Sequence, residues 1–122
     1  MNWNLSMDKI LNITVKNKRT YKGVNPHYIG RPSCLGNEFT SKSYGLGKKV
    51  ESVSESIRLY EIWLRNQILN KNHKVRDELV SIYEKSLEKQ VDLICWCWPK
   101  PCHGDVIIKV LTEYVNRKQT KS

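Results

Sequence analysis

No stretch of this chain approaches the roughly 20 consecutive apolar residues that a membrane-spanning helix needs. Residues 1–13 alternate polar and apolar side chains where a secretory signal would carry an apolar block. Neither a membrane span nor export is therefore expected, and the expected location is the cytoplasm. Internal repeats, heptad arrays and low-complexity segments are also missing, which sets aside solenoids, coiled coils and disordered tethers. No helix-turn-helix, zinc finger or recognisable RNA-binding motif is present. Acidic residues are scarce early on: in residues 1–50 only Asp8 and Glu38 face nine Lys and Arg, whereas residues 51–122 hold twelve basic residues against ten acidic. Most of the formal net charge of +9 therefore falls in the first part of the chain, where it would attract anionic partners.

What is present fits one small domain. A chain of 122 residues has room for one core and can bury about two thirds of its unfolded surface. The expected division is a single α/β domain over 1–117 and a polar tail over 118–122. In a reducing compartment Cys34, Cys95, Cys97 and Cys102 are expected as thiols or metal ligands rather than standing disulfides.

Ile10 to Val15 alternates and predicts a first strand. After turn chemistry at 16–19 and 23–26, His27-Tyr28-Ile29 predicts a short second one, stopped by Gly30 and Pro32. Residues 31–49 read as a long loop, with a further strand conceivable in 44–50. Ser52 and Glu55 have capping-box spacing, and Val53, Ile57, Tyr60, Leu64 and Ile68 then form one helical face. A second helix over 75–89 turns Val75, Leu79, Ile82, Tyr83 and Leu87 inward. Val91 to Trp96 reads as a buried strand, and Gly104 onward as a last helix carrying Val106, Ile107, Val110, Leu111 and Tyr114. Helical crossovers between strands imply a small three-layer, Rossmann-like domain with a short, mostly parallel or mixed sheet flanked by helices.

Two segments carry chemistry. In Cys95-Trp96-Cys97-Trp98-Pro99-Lys100-Pro101-Cys102-His103-Gly104-Asp105, the first two cysteines share one face of an extended strand, with Trp96 turned the other way into the core. Cys102 and His103 open the last helix, at the strand-to-helix junction where α/β sheets place ligands. Three readings follow. Cys95, Cys97, Cys102 and His103 offer zinc-ligand chemistry at a spacing that is not a standard one, so no cofactor is expected and zinc is the alternative. Cys102 as nucleophile or His103 as acid/base group, with Asp105 orienting the imidazole, would make an enzyme. Alternatively the cysteines are core residues and His103 helps the helix N-terminus bind an anion. The second segment, Tyr28-Ile29-Gly30-Arg31-Pro32-Ser33, sets a guanidinium beside a glycine that admits close backbone approach, and Ser33, Gly36 and Asn37 add donors.

Together these segments resemble the domain of unknown function 4326, a family of bacteria and many phages. The resemblance rests on Tyr28 to Ser33, on Gly36-Asn37-Glu38-Phe39, on Tyr60 with Trp63-Leu64, and on Cys95 to Asp105. It spans roughly residues 10 to 115. Glu38 stands where the family pattern has proline. The resemblance implies an α/β fold and one site joining the two motifs, and it implies no reaction.

The leading expectation is a binding module for a phosphate-bearing nucleotide or nucleotide-derived small molecule. Tyr28, Gly30, Arg31, Ser33, Asn37, Trp98 and His103 would line the site, Arg31 would hold phosphate, and Tyr28 or Trp98 would stack on a base. The family's distribution makes a phage protein sequestering a host signalling nucleotide one form of this reading. The alternative is an enzyme acting on a nucleotide, nucleoside or modified base, by hydrolysis or glycosidic transfer, with Cys102, His103 and Asp105 catalytic. A third reading is nucleic-acid binding through Lys16, Lys18, Arg19, Lys22, Lys48 and Lys49. No membrane partner is expected, and a homo-oligomer is compatible with all three.

Overall fold

The computed structural model describes residues 11–31, 33–37, 39–40, 48–49, 52–96 and 102–120. Its elements are β1 (Ile13–Asn17), β2 (Pro26–Tyr28), β3 (Phe39–Thr40), β4 (Lys48–Lys49), α1 (Val53–Leu69), α2 (His73–Glu88), β5 (Val91–Cys95) and α3 (His103–Thr120). The α/β class and the short parallel sheet are as the sequence implies. β5 lies between β1 and β2 and is parallel to both, and β3 and β4 form a separate parallel pair. Among the described residues no helix is long and apolar enough to cross a membrane.

The helices obey local rules. Ser52 caps α1 by accepting from the Glu55 N–H, as capping-box spacing requires. The Glu55 carboxylate pairs with Arg58. At its far end α1 stops in a Schellman turn: Asn72 N–H bonds the Gln67 carbonyl and Lys71 N–H that of Ile68, with Lys71 at φ 59. Asn72 in turn caps α2 through the Val75 N–H. Tyr60, Leu64, Val75, Leu79, Ile82, Val106, Ile107, Val110 and Leu111 fill the core. Two core positions expected on the helices differ. Val53, in the first turn of α1, is exposed, and Leu87 is 62% exposed. Ser86 takes the inward seat in α2 because its hydroxyl donates to the Tyr83 carbonyl, so a polar side chain is buried without an unmet hydrogen bond.

All five residues of β5 are buried, as expected of the central strand of a parallel sheet. Paired residues in a parallel ladder share a face. Ile13, Val15, His27, Val91, Leu93 and Cys95 therefore face α2 and α3, and Thr14, Tyr28, Asp92 and Ile94 face the other way. On the helix side, His27 Nε2 meets Glu78 at 2.6 Å while Lys85 donates to Nδ1 at 3.0 Å, fastening β2 to α2. On the other side, Asp92 accepts from Thr14, Gln90 and Tyr21. The Tyr21 hydroxyl also accepts from Asn25 N–H. This cluster pins the connection that carries the chain from β1 across β5 to β2.

Burial pushes the Asp92 carboxyl up, but the three hydrogen bonds outweigh it and hold the group below its ordinary value of 3.8. Its stabilising contribution is therefore complete above that value and is lost as pH falls below it. Asp92→Ala should lower the unfolding free energy in urea by about 1–3 kcal/mol, because it strands three donors. Asp92→Asn should flatten the acid limb of the stability curve below pH 3.8. Lys71→Gly should raise stability in the same assay by about 1 kcal/mol, since glycine adopts the left-handed conformation without the Cβ penalty.

Candidate functional site at the carboxyl edge of the sheet

Because β1, β2 and β5 are parallel, their carboxyl ends at Asn17, Tyr28 and Cys95 lie along one edge. Both sequence motifs leave from that edge, and His103 joins them. Its Nε2 lies 2.8 Å from the Ile29 carbonyl and its Nδ1 3.6 Å from Cys102 Sγ. Its ring meets Tyr60 edge-on at 5.0 Å. The side chain is only 7% exposed. Burial lowers its pKa below 6.5, an effect that the Arg31 charge reinforces and that the Ile29 carbonyl, Cys95 and Asp105 oppose. Burial therefore favours the neutral imidazole. A carbonyl only accepts, so the proton sits on Nε2 and the Nδ1 lone pair faces the thiol.

The loop after β2 is shaped from within. Ser33 N–H donates to the Gly30 carbonyl and Gly36 N–H to that of Ser33, while Ser33 Oγ accepts from Leu35 N–H. Tyr60, fully buried, donates its hydroxyl to the Leu35 carbonyl, and burial raises its pKa far above the ordinary value. Asn37 accepts from Phe39 N–H and donates to Ser56 Oγ. Ser33, Asn37 and His103 therefore direct their hydrogen bonds into the protein. Asp105 does the same: it accepts from Cys102 N–H at 3.4 Å and so caps α3, and among the described residues it makes no hydrogen bond to His103.

The outward side of the edge carries different residues. Arg31 is exposed. Tyr28 lies across Gly30, where a Cβ would collide with its ring, and its hydroxyl donates to the Arg31 carbonyl at 2.8 Å. Trp96, expected in the core, is 54% exposed. It stands one residue beyond the last paired position of β5, where no ladder turns it inward, and its indole N–H reaches the Tyr28 hydroxyl at 3.3 Å. Lys18, just after β1, holds its ammonium 5.6 Å from the Tyr28 ring and 5.8 Å from the Trp96 ring. Asn17 donates to the Trp96 carbonyl. Tyr28 and Arg31 are candidate ligand residues in the sequence, Trp96 is not among them, and Lys18 is expected there only against nucleic-acid backbone. The available signal was the position of both residues immediately after a strand.

Cys95 and Cys102 are buried, with their sulfurs 2.9 Å apart, and Gly104 N–H donates to Cys102 Sγ. Among the described residues no group of three or more His, Cys, Asp and Glu side chains is placed to hold a metal ion. Cys97 and Trp98, like Pro32 and Glu38, lie outside the described residues.

A histidine whose folded pKa is depressed stabilises the fold fully above its unfolded value and loses that contribution as pH falls. The melting temperature should therefore drop as pH falls below 6.5. His103→Gln, which keeps a donor for Ile29 but cannot titrate, should be less stable than wild type at pH 8 and show a flatter pH dependence between pH 7 and 5. Equal slopes for the two proteins would refute the assignment of that titration to His103.

No curated protein and no solved structure matches the chain. One family model does, over residues 13–113, from the first residue of β1 into α3 and across both motifs at the carboxyl edge. The chain belongs to that family, the Domain of unknown function (DUF4326).

Proposed function

We propose that the carboxyl edge of the sheet binds a phosphate-bearing nucleotide or nucleotide-derived small molecule. The observation that carries this reading is the grouping of exposed Lys18, Trp96 and Arg31 around half-buried Tyr28, whose hydroxyl reaches the Arg31 backbone carbonyl, at the ends of three different strands. A large exposed indole is usually free to reorient. Here its N–H is tied to Tyr28, so the ring is preorganised as a stacking surface and loses little further freedom on binding. Lys18 supplies positive charge beside both rings, and Arg31 supplies a planar fork suited to phosphate oxygens. Parallel α/β sheets receive ligands at this edge for a general reason: loops from several strands meet there above a fixed frame. Ser33, Asn37 and His103 support the loop from behind in this reading, and Arg31 and Lys18 make the charged contacts.

The test is thermal shift and tryptophan fluorescence against a panel of mononucleotides, dinucleotides and inorganic phosphate. At least one nucleotide should raise the melting temperature and quench the emission of Trp96. Arg31→Ala should weaken that ligand about tenfold or more, in line with the loss of a charged hydrogen bond. Trp96→Ala should weaken nucleotides while leaving inorganic phosphate unaffected. A panel without any stabilising nucleotide, or one bound equally by both variants, would remove this function.

A further inference from the structure

The two buried sulfurs at the inner side of the edge have no part in the proposed nucleotide contacts, and their geometry stands independently of that function. Cys95 ends β5 and Cys102 directly precedes α3, so six residues of chain separate two atoms that lie 2.9 Å apart. A disulfide has an S–S length of about 2.05 Å, so bond formation needs an approach of less than about 1 Å. Both side chains are enclosed, at 1% and 2% exposure. Cys102 Sγ accepts a hydrogen bond from Gly104 N–H at 3.3 Å and faces the Nδ1 lone pair of His103 at 3.6 Å. One sulfur is therefore flanked by a donor for its lone pairs and an acceptor for its proton, and a second sulfur waits in contact.

We propose that Cys95 and Cys102 form a reversible dithiol–disulfide couple that responds to a small peroxide. Cys102 Sγ attacks one peroxide oxygen: an S–O bond forms, the O–O bond breaks, and the thiol proton leaves with the departing hydroxide as water. Cys95 Sγ then attacks Cys102 Sγ, the S–S bond forms as S–O breaks, and the second hydroxide departs with the Cys95 proton as another water. Two thiols are oxidised and one hydrogen peroxide is reduced to two waters. Peroxide is small enough to reach the pair by local opening, whereas bulkier disulfides are held off by the burial of both atoms. The product ties the end of the central strand to the start of the last helix. It thereby fixes the frame that carries Trp96 on one side and His103 on the other.

The experiment oxidises reduced full-length protein with equimolar hydrogen peroxide, alkylates it under denaturing conditions and weighs it. Wild type should lose two of its four alkylatable thiols, and dithiothreitol should restore them. Chymotryptic cleavage after Trp96 should give a linked peptide pair, and its fragment ions should place the bond on Cys95 and Cys102. Cys34→Ser and Cys97→Ser should each retain the link, and Cys102→Ser should lose it. Four thiols still alkylatable, a bond mapped to Cys97, irreversible sulfinic acid without a link, or stoichiometric zinc that prevents oxidation would each overturn the proposal.

Discussion

The hydrogen bond from His103 to the Ile29 carbonyl is the join on which the carboxyl edge depends. One partner begins the last helix and the other is the first residue after β2, 74 positions apart in sequence. Both are buried, so the imidazole has no solvent alternative, and losing the bond would leave a carbonyl and a ring nitrogen without partners in the core. The ring also supports Tyr60, which in turn holds the Leu35 carbonyl. A single side chain therefore orders three things at once: the N-terminus of α3, the loop carrying Arg31, and the face of α1 beneath that loop.

Insertion of β5 between β1 and β2 makes this join possible and creates a cost elsewhere. The short connection between the first two strands must cross a strand made much later in the chain. It runs without a helix of its own among the described residues, and its polar groups need partners. Asp92, in the middle of an otherwise apolar strand, holds Tyr21 of that connection and also gathers Thr14 of β1 and Gln90. The His27 cluster performs the matching task on the helix side. In both places a buried polar group ties its strand to a neighbouring segment, and both have hydrogen-bond partners.

Features governed by near neighbours were legible in the sequence. Ser52 and Glu55 announced the start of α1, Asn70-Lys71-Asn72 its end, and the apolar spacing of α3 its inner face, because each depends on residues within a turn or two. The two motifs could be recognised as one site only through the family resemblance, and the structure brings them to the same edge. What could not be read depends on strand order. The alternation over Ile10 to Val15 marks a strand, but pairing with Val91 to Cys95 sets its bounds at 13–17. Trp96 looked like a core residue because the apolar run includes it, yet the ladder stops one position earlier. Leu87 looked inward by hydropathy, while the helix angle and a local hydroxyl bond gave its seat to Ser86.

The same strand order separates the residues that build the edge from those that face outward on it. His103, Tyr60, Asn37 and Cys102 satisfy one another or nearby backbone, so they require only that the chain fold. Lys18, Arg31 and Trp96 have their charge or ring surface turned to solvent, and they are brought together only when all three parallel strands are in register. Trp96 meets Tyr28, 68 positions away in sequence, from the neighbouring strand, and Lys18 meets it from the far side of the sheet. An exposed arrangement that needs the whole sheet to exist, and adds little to its stability, is not explained by folding alone. The proposed recognition of an anionic, planar ligand would use each of its parts: the ring surface for stacking and the two cations for charge.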